Sequence, residues 1–178
     1  MLIPNIKSRA LDMAKSTDLI YFGTMAGIVM IVPFLSFQGL TGPIVNAVIL
    51  IAVAMTGLKK ALLICLLPSM VAIASGLFPI VLAPMIPFII LGNMVLAFVF
   101  FKLYLNNFWL AVGIAAFAKF AFIFASGHIV AELFITKAVA PKVLMMVSWP
   151  QLLTALAGGV IAFVFLKMTK KYKKWETT

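Results

Sequence analysis

The chain has 178 residues, 65% of them hydrophobic and only 10% charged, with a formal net charge of +10. Ordinary soluble domains are about 45–50% apolar and about 25% charged, so this chain has too few charges to clothe a water-facing surface. The apolar excess also excludes disorder, and lipid is the expected solvent.

Charge-free gaps set the expected spans. Forty residues without a charge separate Asp18 from Lys59, and 41 separate Lys60 from Lys102. One crossing of a ~30 Å hydrocarbon core takes about 20 residues, so each gap holds two helices. The first gap is expected to break over Ser36 to Pro43. The second is expected to break from Gly76 to Pro87, where Pro79, Pro84 and Pro87 remove backbone donors. A fifth apolar stretch runs from about Phe108 to Phe134 and a sixth from about Val147 to Leu166. The expected fold class is therefore an all-α integral membrane protein, six transmembrane helices in one compact bundle. It divides into a cytoplasmic N-terminal segment (1–18), the bundle (19–168) and a basic cytoplasmic tail (169–178). No cleavable signal is expected, because the first apolar run starts near Leu19, after Asp12 and Asp18, and no small-residue cleavage pattern follows.

Positive residues near span ends stay on the cytoplasmic side. With both termini inside, that side collects eleven: Lys7, Arg9, Lys15, Lys59, Lys60, Lys102, Lys167, Lys170, Lys171, Lys173 and Lys174. Only two, Lys137 and Lys142, fall outside. The basic excess reads as a topology signal with some attraction to anionic lipid headgroups, and a nucleic-acid partner is not expected.

The polar residues inside the spans are the candidate site. Lys119 lies about 16 Å along the fifth helix from Phe108, near mid-membrane, where an ammonium needs an anion, a ring of carbonyls or water. It is open to two readings: a structural tie to a neighbouring helix, or a ligand contact. Ser126 falls almost directly above Lys119 on a helical wheel. His128 falls opposite, with Glu132 one turn beyond it on the same face. The His and Glu suit a proton relay, a substrate contact or a helix end reaching interfacial water. Gln38, Thr41, Asn46, Asn93, Ser148, Trp149 and Gln151 gather toward the outer half, as an apolar pocket with a few oriented polar groups would require. One His and the single Cys65 fall short of a usual metal set, so no metal and no cofactor is expected. Gly23-Thr24-Met25-Ala26-Gly27 is a G-x-x-x-G pattern that lets another helix approach closely, and Ala155, Gly158, Gly159 and Ala162 form a second small-residue face; either reads as docking or internal packing.

Three local patterns carry a family likeness. Thr56-Gly57-Leu58-Lys59-Lys60-Ala61-Leu62, the run from Phe117 to Gly127 around Lys119, and the Gly23–Gly27 face together resemble the S components of energy-coupling factor transporters. The resemblance implies a membrane subunit that captures a vitamin or other micronutrient from outside. It then joins a T component carrying two cytoplasmic ATPase subunits and topples to release its cargo inward. Carried onto this chain, the lid is Ser36 to Gly42 and the docking face is Gly23, Ala26 and Gly27. The pocket draws on Asn93, Lys119, Ser126, His128, Glu132 and Gln151. No phosphate-binding G-x-x-x-x-G-K-[ST] run is present, so ATP hydrolysis belongs to partners. An enzyme is not expected: no H-E-x-x-H, paired acids or Ser/His spacing stands out. The competing expectation is a self-contained proton-coupled transporter using Lys119, His128 and Glu132, although no inverted repeat is visible. Lys119 points to an anionic or carbonyl-bearing ligand and the 16 Phe to a ring system, without fixing either.

The eleven-to-two asymmetry predicts that an impermeant thiol reagent applied to intact cells labels Val139→Cys but not Thr178→Cys. The opposite pattern refutes the topology.

Overall fold

The computed structural model describes residues 6–35, 37–77, 80–134 and 140–169, with side chains from 16 onward except at 38, 80–82, 134 and 142–143. Seven α-helices and two 3-10 segments make up these residues. They are α1 (Ile6–Ile31), α2 (Gln38–Thr56), α3 (Leu58–Ala74), α4 (Ile86–Leu103), α5 (Phe108–Phe134), α6 (Ala140–Val147) and α7 (Trp149–Met168). Five helical stretches, at 16–35, 39–56, 83–103, 108–133 and 144–168, are long and apolar enough to cross a membrane. Large apolar side chains such as Leu63, Phe117, Leu133 and Leu153 are exposed on the outside. An all-helical chain with such a surface is compatible with a multi-pass membrane protein.

Three boundaries differ from the sequence reading, each for a local reason. First, α1 begins at Ile6 and runs past Asp18 unbroken, since no Gly or Pro lies between Ile6 and Tyr21 to stop it. Second, α2 starts inside the expected break. Phe37 O accepts bonds from the N–H groups of Leu40 and Thr41, and Gly39, Gly42 and Pro43 sit in the first two turns, where a helix tolerates them best. Third, the short α6 precedes α7, an element that the apolar-run count does not contain. The joint between α2 and α3 is tight. Gly57 alone separates α2 from α3, at φ +83°, a left-handed conformation that favours glycine. At the same end Lys60 of α3 donates to the carboxylate of Asp18 on α1.

The bundle is built around α2. Every residue from Val45 to Val53 is buried, because α1, α3, α4 and α7 pack against it on all sides. A helix so enclosed needs somewhere for a neighbour's backbone to come close, and α7 supplies it. A Cβ on Gly158 would lie 2.6 Å from Asn46 Cβ and 2.9 Å from both Ala47 N and Pro43 O. On the other side, α4 packs closely on α5 where Gly92 faces Ile123, with Lys119 beside it. Phe100, Tyr104, Phe108, Trp109 and Phe163 form stacked and edge-on ring pairs where α4, α5 and α7 meet at the opposite end.

Gly158→Ala therefore forces backbone apart and is expected to destabilise the fold by about 1–3 kcal/mol. A Cβ on Gly113 meets nothing within 4 Å, so Gly113→Ala is expected to be neutral or stabilising, by up to about 1 kcal/mol. Reversible unfolding in mixed micelles measures both, and equal effects would remove the close α2–α7 contact from this account.

Candidate functional site

Lys119 lies near the middle of α5 and is 3% exposed, in a helix otherwise of apolar and small residues through Ala125. Its ammonium carries three N–H donors and no acceptor, so a buried position demands carbonyl-type partners. Two come from other helices. Nζ donates to Asn46 Oδ1 on α2 at 2.6 Å and to Asn93 Oδ1 on α4 at 2.7 Å. Each asparagine also sits about halfway along its own helix and is buried, 1% and 4% exposed. The glycines described above set this meeting point: Gly158 presses α7 against α2 at Asn46, and Gly92 lets α4 close on α5 beside Lys119.

The hydrogen-bond chemistry orients both carboxamides. Only an oxygen can face an ammonium, so each NH2 group turns the other way. Among the described residues neither NH2 group, nor the third Lys119 N–H, has a protein partner. No side-chain nitrogen or oxygen sealed from solvent lacks one either. The two NH2 groups therefore reach open space. That space is a cavity of about 330 Å³ lined by the bundle's interior, and Asn46, Asn93 and Lys119 are on its wall. Its far rim carries Phe37 and Leu77, from the joints before α2 and after α3, and Met146 of α6.

The rest of the wall is mostly apolar, including Pro33, Val45, Pro68, Ile89 and Val147, with a few hydroxyls and one more amide. Thr41 donates its hydroxyl to Phe37 O, and Thr154 to Gln151 O, so these oxygens face the cavity as acceptors. Gln151 Nε2 donates to Met146 O at 3.3 Å. Ser69, 6% exposed, makes no hydrogen bond among the described residues and lines the cavity. No Asp, Glu or His is among the described lining residues, so Lys119 is the cavity's one charge.

Of the residues singled out from sequence, the structure brings Asn46, Asn93, Lys119 and Gln151 together on this wall. Five others lie elsewhere, among them Ser148, half-buried just before α7, its Oγ–H donating to Met145 O. Ser126 is buried above Lys119 but donates back to Phe122 O of its own helix. His128 is exposed, its Nδ1–H donating to Phe124 O, and Glu132 is exposed one turn on. Trp149 is exposed and stacks on Phe120 at 5.6 Å between centroids. The Gln38 side chain and Ser36 of the expected lid lie outside the described residues, whereas Phe37, Thr41 and Gly42 line the cavity. Ser69 and Thr154 were not anticipated. Ser69 is the only hydroxyl in the apolar run of α3, and Thr154 follows Gln151 by three residues on one face of α7, which are the signals that mark them. Among the described residues no group of three or more His, Cys, Asp or Glu side chains is placed to hold a metal ion.

Comparison with protein-family models, with curated proteins and with solved structures gives no match to this chain.

A hydrogen bond from a charged donor is worth about 1.5–3 kcal/mol, and a double-mutant cycle isolates it. Lys119→Met combined with Asn93→Leu is expected to show a coupling energy of that order in micellar unfolding. Additive effects would mean that the pair does not interact.

Proposed function

We propose that the protein is a membrane-embedded capture subunit for uptake of a vitamin or other micronutrient, of the energy-coupling factor S-component kind. The observation that carries this reading is the cavity: partly open, mostly apolar, about 330 Å³, with Lys119, Asn46 and Asn93 from three helices on its wall. Small-molecule sites have this character, a few oriented polar groups on an apolar wall. The cavity opens among the joints that the charge distribution assigns to the outside, the side from which a nutrient arrives. In this reading α3 is the sixth span. Its 17 residues reach about 25 Å, short for a ~30 Å core but extended by the joints at its two ends. Both termini are then cytoplasmic in the cell membrane. The segment before α2 is the lid, and energy comes from ATPases that a T component brings.

The docking face is the second part of the proposal. Gly23 is exposed, Gly27 half-buried, and a Cβ added at either meets nothing within 4 Å. Internal packing would have put a neighbour there, as it does at Gly158. The open face on α1 suits a partner helix that binds closely and lets go again. The competing proton-coupled transporter needs its three titratable groups in relay. Here Lys119 faces the cavity while His128 and Glu132 are exposed on the other side of α5.

Gly27→Leu is expected to abolish uptake and co-purification with a T component while the isolated protein still retains its small molecule, read by native mass spectrometry. Uptake that persists in this variant refutes the docking face, and a wild-type protein that retains nothing and imports nothing refutes the capture role.

A further inference from the structure

Building on the capture reading, we infer that the molecule held in this cavity is a small organic acid, a monocarboxylate with a largely apolar body, whose carboxylate is received by Lys119, Asn46 and Asn93.

The inner end of the cavity offers donors. Each asparagine turns its oxygen to Lys119, which leaves its NH2 group, on the same planar carboxamide, free to donate into the cavity. Lys119, the two asparagines and Ser69 make a cluster of donor-bearing residues on the wall of one cavity. A carboxylate accepts only, has about four lone-pair sites on two oxygens, and matches such a cluster.

Charge leads to the same class. Two carbonyl dipoles solvate the ammonium but leave its charge whole, and a lone buried charge costs several kcal/mol until an opposite charge joins it. The described wall holds no carboxylate to do so. Elsewhere among the described acids, Asp18 is engaged by Lys60 and Glu132 is exposed on α5. A ligand carboxylate supplies the counter-charge that the described wall lacks. A single lysine balances one negative charge, so a dianionic phosphate ester leaves an uncompensated charge against a mostly apolar wall. A cation meets Lys119 head-on, and the wall offers Phe37 as its one described aromatic ring rather than a cage. The volume sets the size: about 330 Å³ takes roughly ten to twenty non-hydrogen atoms. Beyond the donor cluster most of the wall is apolar, so the body of the acid is apolar too.

The full chain in detergent, assayed by thermal shift against millimolar benzoate, benzamide and benzylamine, tests the class with one ring in anionic, neutral and cationic form. Benzoate is expected to stabilise the wild type most. Lys119→Met should weaken that binding about ten- to a hundredfold. Asn93→Asp, nearly isosteric, places a carboxylate beside Lys119 and should abolish benzoate stabilisation even where Lys119→Met fails to fold. Benzamide or benzylamine equal to benzoate, no stabilisation by any of the three, or a benzoate shift that survives in Asn93→Asp overturns the inference. A low-molecular-weight cell extract run in parallel separates the two levels. If the extract stabilises the protein while benzoate fails, the carboxylate class falls and capture stands; if the extract also fails, the capture reading falls with it.

Discussion

Everything in the interior follows from one constraint, an ammonium group held halfway along an apolar helix. Moving such a charge into a medium of low polarity costs several kcal/mol even after relaxation, and a neutral hydrophobe of similar size would cost nothing. The bundle meets the cost in part by turning two carboxamide oxygens toward Lys119 from α2 and α4. That requirement fixes more than two side chains. It brings three helices to one point at one depth, closes α4 on α5 at Gly92 and α7 on α2 at Gly158, and leaves the carboxamide nitrogens facing space that no side chain fills. The cavity is the other side of the same arrangement.

Small residues serve two opposite ends in this chain. On α7, Gly158 and Gly159 are buried against α2 and α5, where a single added carbon meets backbone or Val112 at under 3 Å. On α1, Gly23 and Gly27 stand four residues apart, and a Cβ added at either meets nothing within 4 Å. The pattern of small residues does not distinguish these cases; only the position of the helix does. An enclosed helix pair must exclude volume permanently, whereas an outer helix can offer a groove to something that comes and goes.

Much of the architecture was legible because charge and periodicity are local signals. The charge-free gaps anticipated paired helices on either side of Lys59 and Lys60, and α5 runs from Phe108 to Phe134 as its apolar stretch suggested. The wheel that set Ser126 above Lys119 and His128 opposite agrees with the buried serine and lysine and the exposed histidine. What stayed hidden was non-local or ambiguous. Nothing near Asn46 announces Lys119, 73 residues away, as its partner. The stretch before Trp149 contains Pro141 and Lys142 and reads as a connection, yet Ala140–Val147 is helical. Gly39, Gly42 and Pro43 are breakers by composition, and only their place near a helix start, behind the carbonyl of Phe37, makes them compatible with α2.

The enclosure of α2 also orders events in time. Its most extensive partner is α7, the last helix described, and the cavity wall draws on residues from Pro33 to Thr154. A chain still emerging from the ribosome has α2 already made but not the helix that covers Asn46, so the carboxamide lacks its cover until α7 is made. Contacts between such distant parts of a sequence form late. The wall is thus incomplete in every chain that stops short of α7, which makes possession of the cavity a mark of completed assembly.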